Sequence, residues 1–331
     1  MKYKFRKRIL QIPSARTGRN WMKKIKFKRH HNLSLYRFLK IFGHNVQEDE
    51  IMDRANGVAF NFILAIFPTI IFLFTLIPYI TPYFPEITTA TIMEFLGELM
   101  PSSMYDVISG TVLDIVGNQR GGLLTFGFVF AMYLATNGMM ALMRAFNACY
   151  RTVERRNFFR MRITATGLTL MMSISLFLAI ILLIVGQFII NYVTENIHEF
   201  ASLNLDSYSI YLLFALRFAV LLLVFFIAIS FIYYFGPGVH YNWNFFSIGS
   251  FLAATACLGI SYGFSYYITN FGTYNKVYGS IGALIALMIW IQLLTTVLLF
   301  GYEVNASLHY GHKIQALDQA SRTRRLEKSM R

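Results

Sequence analysis

Six long apolar runs dominate the chain. They cover roughly residues 56–80, 123–143, 163–190, 210–235, 245–268 and 281–301. Each holds about 20 or more residues, enough to cross a hydrocarbon core as a helix with some tilt. Between the first two runs the pattern changes. From Thr88 to Asn118 apolar residues recur at helical spacing: Ile92, Phe95, Leu96 and Leu99, then, beyond Pro101, Val107, Ile108, Thr111, Val112, Ile115 and Val116. Neither half is long or apolar enough to span, so two amphipathic helices are expected at about 86–118, as a lid or a structural cap. Ahead of the first run, Leu35, Phe38, Leu39 and Phe42 share one helical face, with Arg37 and Lys40 opposite. That suits a helix lying in the interface plane or one packed on the ends of the spans.

Composition agrees with this pattern. Of 331 residues, 56% are hydrophobic and only 14% charged, where soluble domains carry about 25%. The expected fold is all-α: a polytopic membrane protein of six transmembrane helices with amphipathic interfacial helices on both faces. Three regions follow: a basic arm (1–54), a membrane domain (55–305) and a basic tail (306–331). No apolar signal-peptide core precedes the first span.

Charge sets the expected orientation. Of 30 Lys and Arg, 15 lie in residues 1–54, six between Arg144 and Arg162, and six from Lys313 onward. A six-span chain puts those 27 on one face, against Arg120 and Lys276 on the other. By the positive-inside rule both termini are expected in the cytoplasm. The net charge of +14 therefore reflects topology and anionic lipid, and nucleic acid is not an expected partner.

Little suggests catalysis. The chain holds no G-x-S-x-G, H-E-x-x-H, D-x-D or P-loop sequence, and Cys149 and Cys257 match no zinc spacing. No cofactor or metal is expected, and no enzyme. Ionisable and polar residues inside spans remain as candidates for substrate or gating roles. Arg217 lies about 10 Å into span 4; it either snorkels outward or faces the bundle toward acids such as Asp206 or Glu199. Glu303 closes span 6 in GYEVNA, near Arg54 or Arg144, as a helix-end salt bridge or a coupled gate. Asn61 and Pro68 share a face of span 1. Thr136-Asn137, Gln187 and Gln292 are expected to bridge helices or line a polar cavity. Spans 2 and 6 both end in Asn-Ala, at Asn147-Ala148 and Asn305-Ala306. In FGTYNKVYGSIGA, the turn before span 6, Tyr278 fits an interfacial aromatic belt and Lys276 is free for a headgroup contact.

Three stretches together carry a likeness: GVAFNFILAIFPTIIFLFTLIPYI, AMYLATNGMMALMRAFNACY and YNKVYGSIGALIALMIWIQLLTTVLLFGYEVNA. With their Y-G-S and G-x-E-x-N-A elements they resemble the YihY/virulence factor BrkB family of inner-membrane proteins, over about residues 35–310. The chain departs from the family pattern at Phe60-Asn61, where a Tyr is usual. The resemblance implies six spans and a role in envelope integrity or lipid movement; members have also carried a ribonuclease BN label. The expected function is a transporter or flippase-like protein for an anionic lipid or amphiphile, with membrane lipids and envelope proteins as partners. The alternative is a non-enzymatic envelope scaffold, and a membrane-bound ribonuclease comes third.

Overall fold

The computed structural model describes residues 20–27, 33–48, 50–83, 88–99, 102–149, 152, 154–195, 207–238, 244–270 and 280–329. For 27, 95–99, 102–108, 189–195, 207–213, 269–270, 280–281, 283 and 310–329 only the backbone is described.

Because a bilayer interior offers no partner for peptide groups, long apolar runs become helices. Among the described residues six are long and apolar enough to cross: α2 (Ile51–Ile80), α5 (Gly121–Cys149), α6 (Phe158–Glu195), α7 (Ser207–Phe235), α8 (Ile248–Asn270) and α9 (Ser280–Ser329). The chain is an all-α polytopic membrane protein. Several helices outrun the apolar runs. Helix α2 starts at Ile51 instead of Asn56, and α5 continues to Cys149. Polar turns such as Met52-Asp53-Arg54 extend a helix as readily as apolar ones once the span has nucleated it. Helix α9 is the extreme case. It has 50 residues, about 75 Å at 1.5 Å per residue, so the segment expected as a tail continues the span.

The six helices form a ring in chain order. Each packs on the next, and α9 returns to α2. Small residues set the closest approaches. A Cβ at Gly138 of α5 would lie 2.7 Å from the Phe62 ring of α2, and Gly127 faces the Phe72 backbone. Where α8 crosses α9, a Cβ at Gly301 would lie 2.6 Å from both Ala253 Cβ and Tyr233 Oη.

Shorter elements sit at the two ends. A two-residue antiparallel ladder, β1 (Lys26–Phe27) with β2 (Leu33–Ser34), leads into α1 (Leu35–Glu48). Helix α1 packs on α9. Phe38 and Leu33 are buried against Leu308, with Leu35, Phe42 and Val304 around them. Leu39, expected on that same face, points away and is exposed, since α9 covers only one side of α1. Glu50, at φ 48°, turns the chain from α1 into α2. At the other end α3 (Thr89–Leu99) and α4 (Ser102–Gly117) pack on each other and on α2. Met93, Val112 and Val116 are buried against Phe74 and Ile77, which seats this hairpin on one helix as a cap. We call the end bearing α1 and the arginine-rich segment after α5 the basic end, and the opposite one the far end.

Candidate functional site

The basic half of the ring is shut. Phe146 of α5, Tyr233 of α7 and Tyr302 of α9 come from alternate helices, yet their rings touch. Phe146 stacks on Tyr302 at 4.3 Å between centroids, and each meets Tyr233 at 5.5 Å, nearly edge-on. Phe146 and Tyr302 are fully buried. Tyr233 donates its hydroxyl to the Leu298 carbonyl at 2.6 Å. Met139, Met143, Leu168, Ile229 and Leu299 fill the space beside them. Together they form a dense, apolar plug at this end of the ring.

Polar clamps lock that end. Asn147 Oδ1 accepts the Gly238 N–H at 2.7 Å, and its Nδ2 donates to Glu154 at 2.7 Å. Arg156 forks onto Glu154, through Nε at 2.8 Å and Nη2 at 2.9 Å. It also donates to the carbonyls of Phe235 and Gly236, at the end of α7. The Arg156 guanidinium holds the Glu154 carboxyl down at about 2 from an ordinary 4.5, against the opposing effect of burial. Asn305 does for the start of α8 what Asn147 does for the end of α7. It accepts the Gly249 N–H at 2.8 Å and donates to Ser247 Oγ at 2.8 Å. The two Asn-Ala pairs thus grip both sides of the α7–α8 connection. Asn305 serves here as a structural anchor.

Glu303 is fully buried at the same end. Its Oε1 accepts from Asn45 Nδ2 of α1 at 2.8 Å and from Ser307 Oγ at 2.7 Å. Asn45 was invisible as a partner in the sequence, because 258 residues separate the two. Of the arginines expected beside Glu303, Arg144 is exposed.

The far half differs. Among the described residues, Thr75, Gly127, Ala131, Ala179, Leu221 and Ala286 are buried there. An apolar cavity of about 240 Å³ lies between α8 and α9, lined by Phe264, Tyr267, Ile268, Ala286 and Ile289. Arg217 sits in this half at the seam of α6 and α7. Nη1 donates to Gln187 Oε1 at 2.7 Å and Nη2 to the Leu183 carbonyl at 2.9 Å. The side chain lies over Gly186, where a Cβ would come within 3.1 Å. Its partners among the described residues are neutral; Glu199 and Asp206 lie outside them.

The remaining amides also join helices. Gln292 of α9 donates to Asn56 of α2 at 2.7 Å. Asn137 of α5 accepts from Arg162 of α6. Arg162 is a residue the sequence hid, counted with the loop charges just before Ile163. Asn61 and Pro68 do not meet in a polar site. Asn61 donates to its own helix at the Gly57 carbonyl, and Pro68 is buried in packing. Lys276 and Tyr278 lie outside the described residues. Among the described residues no group of three or more His, Cys, Asp or Glu could hold a metal ion.

A ring of six apolar helices with charges held inside the spans defines a multi-pass membrane protein. The chain belongs to the Virulence factor BrkB family, whose profile matches residues 42–326. It is 31% identical to the ribonuclease-like protein YfkH of Bacillus subtilis, over 84% of this chain and 97% of that one. It is 27% identical to a UPF0761 membrane protein of Pseudoalteromonas atlantica, over 81% and 84%. A longer UPF0761 membrane protein of Ralstonia nicotianae is 25% identical, over 79% of this chain and 56% of its own length. No solved structure matches.

Proposed function

We propose that this protein moves an anionic lipid or related amphiphile within a bacterial cytoplasmic membrane, with both termini in the cytoplasm. The observation that carries this reading is the contrast between the two halves of the ring. One end is closed by Phe146, Tyr233 and Tyr302, while the described part of the other half has an apolar cavity between α8 and α9 and a half-exposed guanidinium at Arg217. A bundle closed on one side of the membrane and loose on the other is the shape of one state of a carrier. A guanidinium in that half favours an acidic headgroup. The chain has no nucleotide-binding motif, so movement is downhill or coupled to an ion gradient.

The test is transbilayer movement of fluorescent phosphatidylglycerol in proteoliposomes, read by dithionite quenching. Movement faster than in protein-free vesicles, slowed several-fold by Arg217→Ala, is expected. No movement with or without a proton gradient would remove the reading. A scaffold role has one observation in its favour: α9 runs well past the ring at the basic end, as a docking rod would. Folded Arg217→Ala and Glu303→Ala variants that restore envelope integrity like wild type would support it. The ribonuclease-like name belongs to the Bacillus relative; RNA cleavage by purified protein, abolished by a chelator, would bring that activity to this chain.

A further inference from the structure

We propose that Arg162, with Tyr133 and Asn137, forms an anion-binding site near the middle of the membrane, open sideways between α5 and α6. It rests on the carrier reading above, and names a second place where the acidic group of the amphiphile is held.

Arg162 begins only four residues into α6, close to the basic end. A long cationic side chain so placed ordinarily snorkels back to water. Side chains on a helix also lean toward its N-terminus, here the same direction. Arg162 does the opposite. Nη1 donates to Asn137 Oδ1 and approaches Met140 Sδ at 3.9 Å. Nη2 donates to the Tyr133 carbonyl at 3.3 Å. Its guanidinium carbon stands 4.2 Å from the centroid of the Tyr133 ring. Asn137 lies near the midpoint of α5, about 18 Å from that helix's basic end at 1.5 Å per residue. The charge therefore sits deep in the span and has been turned there.

Nothing among the described residues neutralises it: every partner is a neutral amide, carbonyl, thioether or ring. A guanidinium has five N–H donors. Asn137, Met140 and the Tyr133 carbonyl occupy three, and among the described residues Nε–H and the second Nη2–H take no acceptor. Both remain for a carboxylate or phosphate, which takes charge-assisted bonds from a guanidinium. Access is open on that flank, with Tyr133 53% and Ile163 71% exposed. The Tyr133 face fixes the plane and partly stands in for water. An amphiphile fits these demands: its acidic group reaches the fork while its chains stay in lipid.

Arg217 approaches the same helix from the α7 side, at Leu183 and Gln187. Leu183 lies 21 residues beyond Arg162 on α6, a rise of roughly 30 Å. Helix α6 is thus flanked by guanidinium groups at two depths, and a headgroup crossing along it meets both.

Binding to the purified full-length chain in detergent tests this independently of transport. Dihexanoyl-phosphatidylglycerol is titrated by calorimetry, with dihexanoyl-phosphatidylcholine and inorganic phosphate as separate arms, and melting temperature checks folding. Expected is binding of the anionic lipid over the zwitterionic one, weakened at least tenfold by Arg162→Gln and less by Arg162→Lys. Tyr133→Leu weakens it and Tyr133→Phe does not. Competition by inorganic phosphate assigns the site to phosphate in general; absence of competition assigns it to the lipid headgroup. Unchanged affinity in a folded Arg162→Gln overturns the site. Should that variant not fold, unchanged affinity in Arg162→Lys overturns it equally, because lysine keeps the charge but not the fork. Unchanged affinity in Arg162→Gln alongside phosphatidylglycerol movement by the unsubstituted protein removes the site and leaves the carrier reading standing; neither binding nor movement by the unsubstituted protein removes both.

Discussion

The two halves of the ring are built from the same apolar residue types and held by different means. In the basic half, buried residues from all six helices converge on an aromatic trio, and side-chain hydrogen bonds pin each loop that enters it. In the far half, among the described residues, a cavity of about 240 Å³ lies open between α8 and α9, and the buried residues of α3–α4 rest on α2. Inside a bilayer apolar burial between helices adds little, because lipid is equally apolar. Close backbone approach and satisfied polar groups must then carry the stability. The basic half has both, which leaves the far half free to move.

Substitutions should separate the halves by size of effect. The largest is expected at the α8–α9 crossing. A side chain at Gly249 would run into the Gly301 carbonyl and Asn305, so Gly249→Val should yield no monodisperse protein on size exclusion. Phe146→Ala empties the centre of the plug and should cost roughly 3 kcal/mol through the cavity it leaves, seen as a large drop in melting temperature with new leakage of a small anionic dye from proteoliposomes.

Arg156→Ala strips the partner from Glu154, whose carboxylate is only 21% exposed. The loss should be roughly 3 kcal/mol. This pair also sets a pH dependence. The Glu154 carboxyl titrates at about 2 in the folded chain and at an ordinary 4.5 without its partners. Its stabilisation is therefore complete above about pH 4.5 and is lost as pH falls toward 2. Glu154→Gln should flatten the fall in melting temperature across that window.

Much smaller effects are expected in the far half. Ile289→Phe grows into the cavity, and should change melting stability by less than about 1.5 kcal/mol. Smallest is Asp114→Asn, which breaks the exposed ion pair with Arg120 at 2.5 Å and should cost at most about 0.5 kcal/mol.

The six spans were legible because each is a long apolar run with no competing fold, and both interfacial segments were legible from helical spacing. What the sequence concealed was mostly a matter of partners. Arg162 precedes Ile163 directly and counts as a loop base by position; only the helix packing turns it inward. Asn45 and Glu303 meet across nearly the whole chain. Asn147 and Asn305 looked like a faint repeat between spans 2 and 6. Their common task, holding the two sides of the α7–α8 connection, follows from ring order, which no periodicity encodes. Gln187 and Gln292 were readable as bridging amides, though not which helix each would reach.

The contrast between halves can be measured by thiol accessibility in native vesicles. With Cys149 and Cys257 replaced by alanine, single cysteines at Leu299, in the sealed half, and Ile289, beside the cavity, are exposed to a small charged maleimide from each side of the membrane. Labelling at 289 from the far side only, with 299 unreactive from both, is the expected result. Labelling of 299 at the same rate as 289, or from the basic side, would contradict a ring shut at one end and loose at the other.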